Sequence, residues 1–262
     1  MMPVITLLTD FGLKDYYVAS MKAVILSICP SATIVDISHD ISNFDILEAA
    51  FTLCASYHYF PHGTVHVVVV DPGVGSSRKA LVFKTRNYYF VGPDNGVLSL
   101  AAEMDNVIEV REIVNEKLML HKISRTFHGR DVFAPVAAHI ACGLSVKEVG
   151  PVVNEYVKLP LQRPSKDGNI CQGSILHIDK FGNVITNIPS SFVGEDVRSI
   201  KLFLSDGRIY HMPLVDFYAA APIGSLMAIH GSAGFLEISI NQGNAASTLK
   251  VKRGEKIILE LH

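Results

Sequence analysis

The sequence predicts an α/β chain: an amino-terminal domain on a mostly parallel, Rossmann-like sheet, then a smaller all-β domain, barrel or sandwich. Three observations predict it. Val67-Val68-Val69-Val70 is a run of four β-branched apolar residues, the pattern of a strand buried on both faces under helices. The chain up to this run reads strand, helix, strand, helix, strand, an alternation that builds parallel sheets with right-handed crossovers. After about residue 170 the pattern changes to short strand-like runs at turn-rich intervals, the habit of an all-β module. The expected organisation is an α/β domain over residues 1–155, a linker over 156–170 and an all-β domain over 171–262.

In order, Val4 to Thr9 is the first buried strand, closed by Asp10-Phe11-Gly12. Asp15 to Cys29 has Tyr17, Met21, Val24, Ile25 and Ile28 at helical spacing, and Pro30 halts it. Thr33 to Ile37 is a second strand, closed by Ser38-His39-Asp40. Phe44 to Tyr59 returns as a helix, with Ser42 or Asn43 as its cap. The valine strand ends in Asp71-Pro72-Gly73-Val74-Gly75, which places Asp71 at the carboxyl end of a central strand, where open α/β sheets take their ligands. Lys79 to Lys84, Asn87 to Val91 and Val107 to Val110 are further strands, with a short helix to Ala102 between the last two. Val132 to Cys142 is an apolar helix with Pro135 tolerated in its first turn. Pro160, Pro164, Ser165, Lys166, Asp167 and Gly168 read as linker. Beyond it come strand-like runs at Gln172–Ile178, Asn183–Asn187, Ser199–Leu204, Arg208–Pro213, Ser225–His230, Phe235–Ile240 and Lys256–Leu261.

The composition excludes several classes. A chain 49% hydrophobic and 18% charged builds a core and does not read as disordered. A net charge of -2 predicts no nucleic-acid surface. No apolar run approaches the roughly 20 residues of a membrane span, and the amino terminus does not read as a signal segment. Cys29, Cys54, Cys142 and Cys171 are scattered, without a Cys-x-x-Cys pair. They are expected to be reduced core thiols of a cytoplasmic protein rather than disulfide or zinc partners.

Three polar clusters carry candidate chemistry in the first domain: Asp10; Asp71 with Arg78; and His128 with Arg130 and Asp131. A carboxylate at the sheet rim can accept from both hydroxyls of a ribose. An Asp, an Arg and a His together can hold and polarise a water. A dinuclear metal site from Asp10, His39, Asp40, Asp71, His128 and Asp131 would instead suit a nucleotide phosphohydrolase. No pair has the spacing of a recognised metal site, Arg78 would compete with a cation, and His39-Asp40 reads as a strand-end turn. The Asp71–Gly75 loop lacks the pattern of a phosphate cradle. In the second domain Asp179-Lys180-Phe181-Gly182-Asn183 is either a plain hairpin or a purine contact, with Phe181 stacking and the Asn183 amide reading an edge.

Taken together, Thr9-Asp10-Phe11-Gly12, Asp71-Pro72-Gly73-Val74-Gly75, Gly92-Pro93-Asp94-Asn95-Gly96, Phe127-His128-Gly129-Arg130-Asp131, Asp179-x-Phe181-Gly182-Asn183 and Ser232-x-Gly234-x-Leu236 resemble the S-adenosyl-L-methionine (SAM) hydroxide adenosyltransferases, relatives of the enzymes that make 5′-halo-adenosines. The resemblance spans essentially the whole chain. It implies hydrolysis of SAM to adenosine and methionine, without metal or other cofactor. The implied catalytic set is Asp71, Arg78 and His128, with His128 as proton acceptor. The implied substrate contacts are Asp10 at the ribose, Phe44 as an aromatic wall, Phe181 and Asn183 at the purine, Asp179 and Ser232 at the methionine, and Phe127 and Ile240. Halide-using relatives have a Tyr at Asp71 and a Ser at Gly129, so this chain carries the hydrolase residues at both. Ala233 stands where relatives can carry an Arg for the methionine carboxylate. The family also implies a homotrimer with sites at subunit interfaces. A non-catalytic SAM or adenosine sensor is the remaining alternative.

Overall fold

The computed structural model describes residues 2–160 and 163–262. The chain divides into two compact units, Met1–Leu159 and Pro160–His262.

In the first unit the elements run β1 (Val4–Thr9), α1 (Tyr17–Ile28), β2 (Thr33–Ser38), α2 (Ile46–Ser56), β3 (Val65–Val69), β4 (Ala80–Thr85), β5 (Tyr89–Pro93), α3 (Ser99–Met104), β6 (Val107–Glu112) and α4 (Ala134–Ala141). They form a six-stranded sheet of order β2-β1-β3-β5-β4-β6. β2, β1, β3 and β5 are parallel, and β4 runs antiparallel to β5 and β6. The valine run behaves as its composition requires. Val67 and Val69 pack on one face with Met21 and Ile25 of α1 and Val136 and Ala137 of α4. Val68 and Val70 pack on the other with Leu53 of α2 and Ala101 of α3. The chain goes from β1 outward to β2, then returns to lay β3 on the other side of β1. That reversal opens a crevice at the carboxyl ends of β1 and β3, where Thr9 and Val69 are in register.

Three local departures from the sequence pattern have physical causes. α2 starts at Ile46 with Asp45 as its cap, the carboxylate accepting from Glu48 N at 2.8 Å, rather than Ser42 or Asn43. Phe44 sits at φ 66°, a left-handed conformation that no helical residue adopts. The helix read from Val132 is preceded by a π turn over Gly129–Phe133. Pro135 has no amide to donate, and the Asp131 carbonyl four residues back accepts from Leu120 N instead, at 3.0 Å. Finally, Cys29 and Cys142 form a disulfide with Cα atoms 6.1 Å apart, correcting the expectation of four reduced thiols. α1 and α4 pack side by side, so their carboxyl-terminal ends meet although 113 residues separate the cysteines. Cys54 and Cys171 are free and buried.

The second unit contains β7 (Ser165–Asp167), β8 (Ile170–Ile178), β9 (Val184–Pro189), β10 (Ser199–Leu204), β11 (Ile209–Val215), β12 (Leu226–His230), β13 (Phe235–Ile240), α5 (Ala245–Leu249) and β14 (Lys256–Leu261). The sheet runs β14-β10-β11-β12-β13-β9-β8-β7, and β14 also pairs with β8. That pairing closes a barrel, removing the open edges a sandwich would keep. Alternate residues of β10, Ile200, Leu202 and Leu204, fill its interior. β7 lies within the stretch read as linker. It pairs antiparallel with β8 across a turn at Gly168. Among the described residues no helix is long and apolar enough to cross a membrane.

Candidate active site

The loop after β3 turns sharply, with Val74 N bonded to Asp71 O and Ser76 N to Gly73 O. Gly75 has φ 75°, and a Cβ there would run into the Arg125 carbonyl. Only glycine lets this loop lie against the segment leading to His128. The turn carries Arg78 back onto Asp71. Arg78 Nε donates to both carboxylate oxygens, at 3.1 and 3.0 Å, and Nη2 donates to Oδ2 as well. The same Nη2 lies 2.8 Å from His128 Nδ1. A guanidinium has only donors, so Nδ1 accepts and the neutral ring carries its proton on Nε2. Burial and the Arg78 charge hold His128 below the usual histidine range, against the pull of Asp71 and Asp131. The Asp71 and Arg78 side chains are only 4% and 11% exposed, and Arg78 also lies over the Phe133 ring at 5.3 Å.

In front of this set is a 420 Å³ cavity lined by Asp10, Phe44, Asp71, Phe127, His128 and Gly129, among others. Asp10 Oδ2 accepts from Phe44 N at 2.9 Å. The left-handed backbone of Phe44 thus aims an amide at the rim carboxylate while its ring stays 66% exposed. Phe11, Tyr17 and Phe127 contact one another with ring centroids 5.1 to 5.8 Å apart and form an aromatic wall. Tyr17, Asn43 and Thr126 also line the cavity. The sequence pattern gives them no role there, since Tyr17 falls on the apolar stripe of α1.

Other residues of the polar clusters serve the fold. His39 Nδ1 is 2.8 Å from Thr9 Oγ1, and its Nε2 is 3.1 Å from Asp36. Asp40 is exposed in the strand-end turn, where its amide donates to Ser38 Oγ. Asp131 is fully buried and accepts from Arg130 and from Ser124 N. Among the described residues no group of three or more His, Cys, Asp or Glu could hold a metal ion.

In the second unit, Asp179 organises the β8–β9 hairpin. Its Oδ1 accepts from Phe181 N and Asn183 N, and its Oδ2 from Asn183 Nδ2, each at 2.9 Å. This leaves Phe181 64% exposed over a 590 Å³ cavity shared by Asp179, Asn183, Tyr218, Ile240 and Asn244. Gly182 has φ 85°, and a Cβ on it would collide with Asn244, so the hairpin and the loop before α5 are in close contact. Ser232 is exposed in the β12–β13 loop and does not line this cavity. In this second cavity Tyr218 is a lining residue that the sequence pattern does not reveal. Its hydroxyl donates to Glu237 Oε1 at 2.7 Å, which also accepts from Ser239 Oγ at 2.7 Å. Burial and the Glu237 hydrogen bond push the Tyr218 phenol up. The available signal was Glu237 itself, a carboxylate within the apolar run of β13.

A mostly parallel sheet with an Asp-Arg-His set at its switch point, joined in sequence to a barrel with an aromatic and amide cavity, defines a two-unit α/β-and-barrel protein with a polar cavity in each unit. The comparisons narrow the class. Residues 5–150 match the SAM hydroxide adenosyltransferase N-terminal domain and residues 173–258 the corresponding C-terminal domain; the chain belongs to the SAM hydroxide adenosyltransferase family. It is 38% identical to an (R)-S-adenosyl-L-methionine hydrolase of Thermus thermophilus, over 96% of this chain and 97% of the relative. It is 36% identical to a hydrolase of the same name from Salinispora arenicola, over 97% of each. A fluorinase of Actinoplanes is 29% identical over 96% of this chain and 95% of the relative. Among solved structures, an uncharacterized conserved protein from Thermotoga maritima superposes with a TM-score of 0.91 at 41% identity, covering 97% of this chain and 99% of that one.

Proposed function

We propose that the protein hydrolyses S-adenosyl-L-methionine at C5′, giving adenosine and L-methionine. The observation that carries this is the contact of Arg78 with both Asp71 and His128 at the end of β3. Attack forms the O–C5′ bond as the C5′–S bond breaks. The electron pair goes to sulfur, which leaves as a neutral thioether and needs no general acid. What the site must supply is an aligned water whose oxygen is made nucleophilic. Asp71 accepts a hydrogen of that water, and Arg78 beside it stabilises negative charge developing on oxygen. With Nδ1 taken by Arg78, the neutral His128 ring donates from Nε2 rather than accepting. This revises the part expected from the sequence, where His128 takes the proton; Asp71 becomes the acceptor.

Asp10 holds the ribose, with Phe44 and Phe127 as walls. Phe181 and Asn183 read the purine, and Asp179, Ser232 and Ile240 complete the substrate contacts. Support for these assignments is the lining of the two cavities for all but Ser232. The reaction needs no metal or cofactor, since Arg78 takes the place a cation would hold on Asp71. A homotrimer belongs to the same reading. Its support is the exposed rings of Phe44 and Phe181, apolar surface that a partner copy would cover. The Cys29–Cys142 disulfide removes the reduced-thiol argument for a cytoplasmic setting.

The test is incubation of EDTA-treated protein with SAM in ¹⁸O-water. Adenosine labelled at its 5′ oxygen, with methionine alongside, is the expected result. Activity that returns only with a divalent ion would indicate the metallohydrolase, and tight binding without product the sensor.

A further inference from the structure

One motif of the sequence has no part in the reaction described above: Gly92-Pro93-Asp94-Asn95-Gly96, at the carboxyl end of β5. Its place in the sheet gives it one. β5 lies between β3 and β4, so the loop that carries Asp71 and Arg78 leaves the sheet on one side of β5 and re-enters it on the other. The turn out of β5 abuts both feet of that loop. At the first foot, β3 ends at Val69, and the Val70 carbonyl accepts from Asn95 Nδ2 at 2.9 Å. At the second, the Lys79 carbonyl accepts from Asp94 N at 2.9 Å and from Arg78 Nη1 at 3.3 Å.

The turn is itself held. Asn95 Oδ1 accepts from Val97 N at 3.1 Å, and Asp94 Oδ1 accepts from Val157 N at 2.8 Å. The Gly96 carbonyl accepts from both the amide and the hydroxyl of Ser99, at 3.1 and 2.8 Å. A Cβ on Gly92 would fall on the Val68 carbonyl, so β5 meets the end of β3 at close range. The residue-95 side chain must donate on one side and accept on the other. An amide does both; a carboxylate or an aliphatic chain does not.

Resting on the hydrolase reading, we propose that Asn95 is a positioning residue of the reaction. It fixes the Val70–Asp71 peptide from which the Asp71 carboxylate projects, while the Asp94 amide fixes the far end of the loop behind Arg78. Residues within a strand take their position from the ladder. Asp71 lies past the end of the ladder and takes its position from this side chain instead. The contacts of Arg78 with Asp71 and His128 depend on the span between the two feet, and a misplacement of about 1 Å can cost about a hundredfold in rate.

The experiment measures kcat, KM for SAM and adenosine affinity in Asn95→Ala and Asn95→Asp. Each variant should lose about 30- to 100-fold in kcat, with KM and adenosine affinity within about threefold of wild type. Asn95→Asp keeps the volume and the acceptor for Val97 N, which covers the case of an alanine variant that does not fold. Leu53→Ala, in the core on the α2 face, lowers the melting temperature and should leave kcat unchanged. Wild-type kcat in both Asn95 variants would overturn the proposal. So would a loss of adenosine affinity in step with kcat, or an equal loss of kcat in Leu53→Ala. A second readout needs no turnover: the ¹⁵N NMR signature of the His128 ring, assigned by its loss in His128→Asn. In the wild type Nδ1 accepts from Arg78, so the signature is that of the tautomer protonated at Nε2. The Asn95 variants should move it toward a mixture of the two tautomers, and a wild-type signature in both would overturn the proposal. A shifted signature in a protein that releases no adenosine from SAM supports the positioning role and removes the hydrolase reading alone.

Discussion

The two cavities are built from opposite materials. The one in the first unit is charged: Asp10, Asp71 and His128 face it, and Arg78 lies directly behind. The one in the second unit is a ring, a phenol and amides, with Asp179 already occupied by three hydrogen bonds from its own hairpin. Carboxylates and cations that activate a water must be held against one another at fixed distances, and a sheet switch point with a glycine-bound loop does that. Recognition of a flat base needs a π face and an amide edge, which a hairpin on a closed barrel presents. The contrast suggests that chemistry and base recognition are divided between the units.

The sharpest way to break this division is Asp71→Asn. Turnover should fall by about 10³-fold or more, while adenosine affinity stays within about threefold of wild type. Retained turnover measured by product chromatography would remove Asp71 from the chemistry.

Acid should separate the units next. His66 is fully buried, 2.8 Å from Thr6 Oγ1 and stacked on Phe90. Burial pushes it down to about 3, against a weaker opposing pull from Asp105. The folded value lies below the unfolded one, so the unfolded chain binds the extra proton. The contribution is complete above pH 6.5 and is lost as pH falls from there toward 3. Between pH 6.5 and 4.5 the first unit should lose about 2 kcal/mol of stability. Amide exchange at the two pH values should show the loss in β1 and β3 and not in the barrel; a uniform loss would contradict it.

Phe181→Ala should weaken adenosine binding about tenfold with little change in kcat, the usual worth of one stacked base. A fall in kcat alone would move this ring from recognition to chemistry. The smallest effect is expected at Phe44→Gly. Releasing the left-handed strain should raise stability by up to about 1 kcal/mol, while loss of the aromatic wall weakens binding. Thermal melts and KM together test the trade.

Much of this arrangement was legible in the sequence, for reasons that explain what was not. Asp10 and Asp71 announce themselves because strand ends are sharp: apolar β-branched runs stop at a carboxylate, and parallel sheets put those stops on one rim. Phe181 and Asn183 are legible because the hairpin is local. Tyr218 and Glu237 meet only because the barrel lays the segment after β11 against β13, and no spacing encodes that. The capping error at α2 came from Phe44, whose left-handed backbone follows from the loop around it and not from its residue type. The cysteine pair was invisible for the same reason as Tyr218: helix packing, not sequence distance, brought the thiols together.

That pair has a topological consequence. The Cys29–Cys142 bond makes the chain between them a closed covalent ring, and β2, β3, Asp71, Arg78 and His128 all lie on it. A protease that nicks the ring once, at any exposed loop, opens it without freeing a fragment. Such a nicked protein would keep its full mass on a non-reducing gel and separate into two pieces only when a thiol is added.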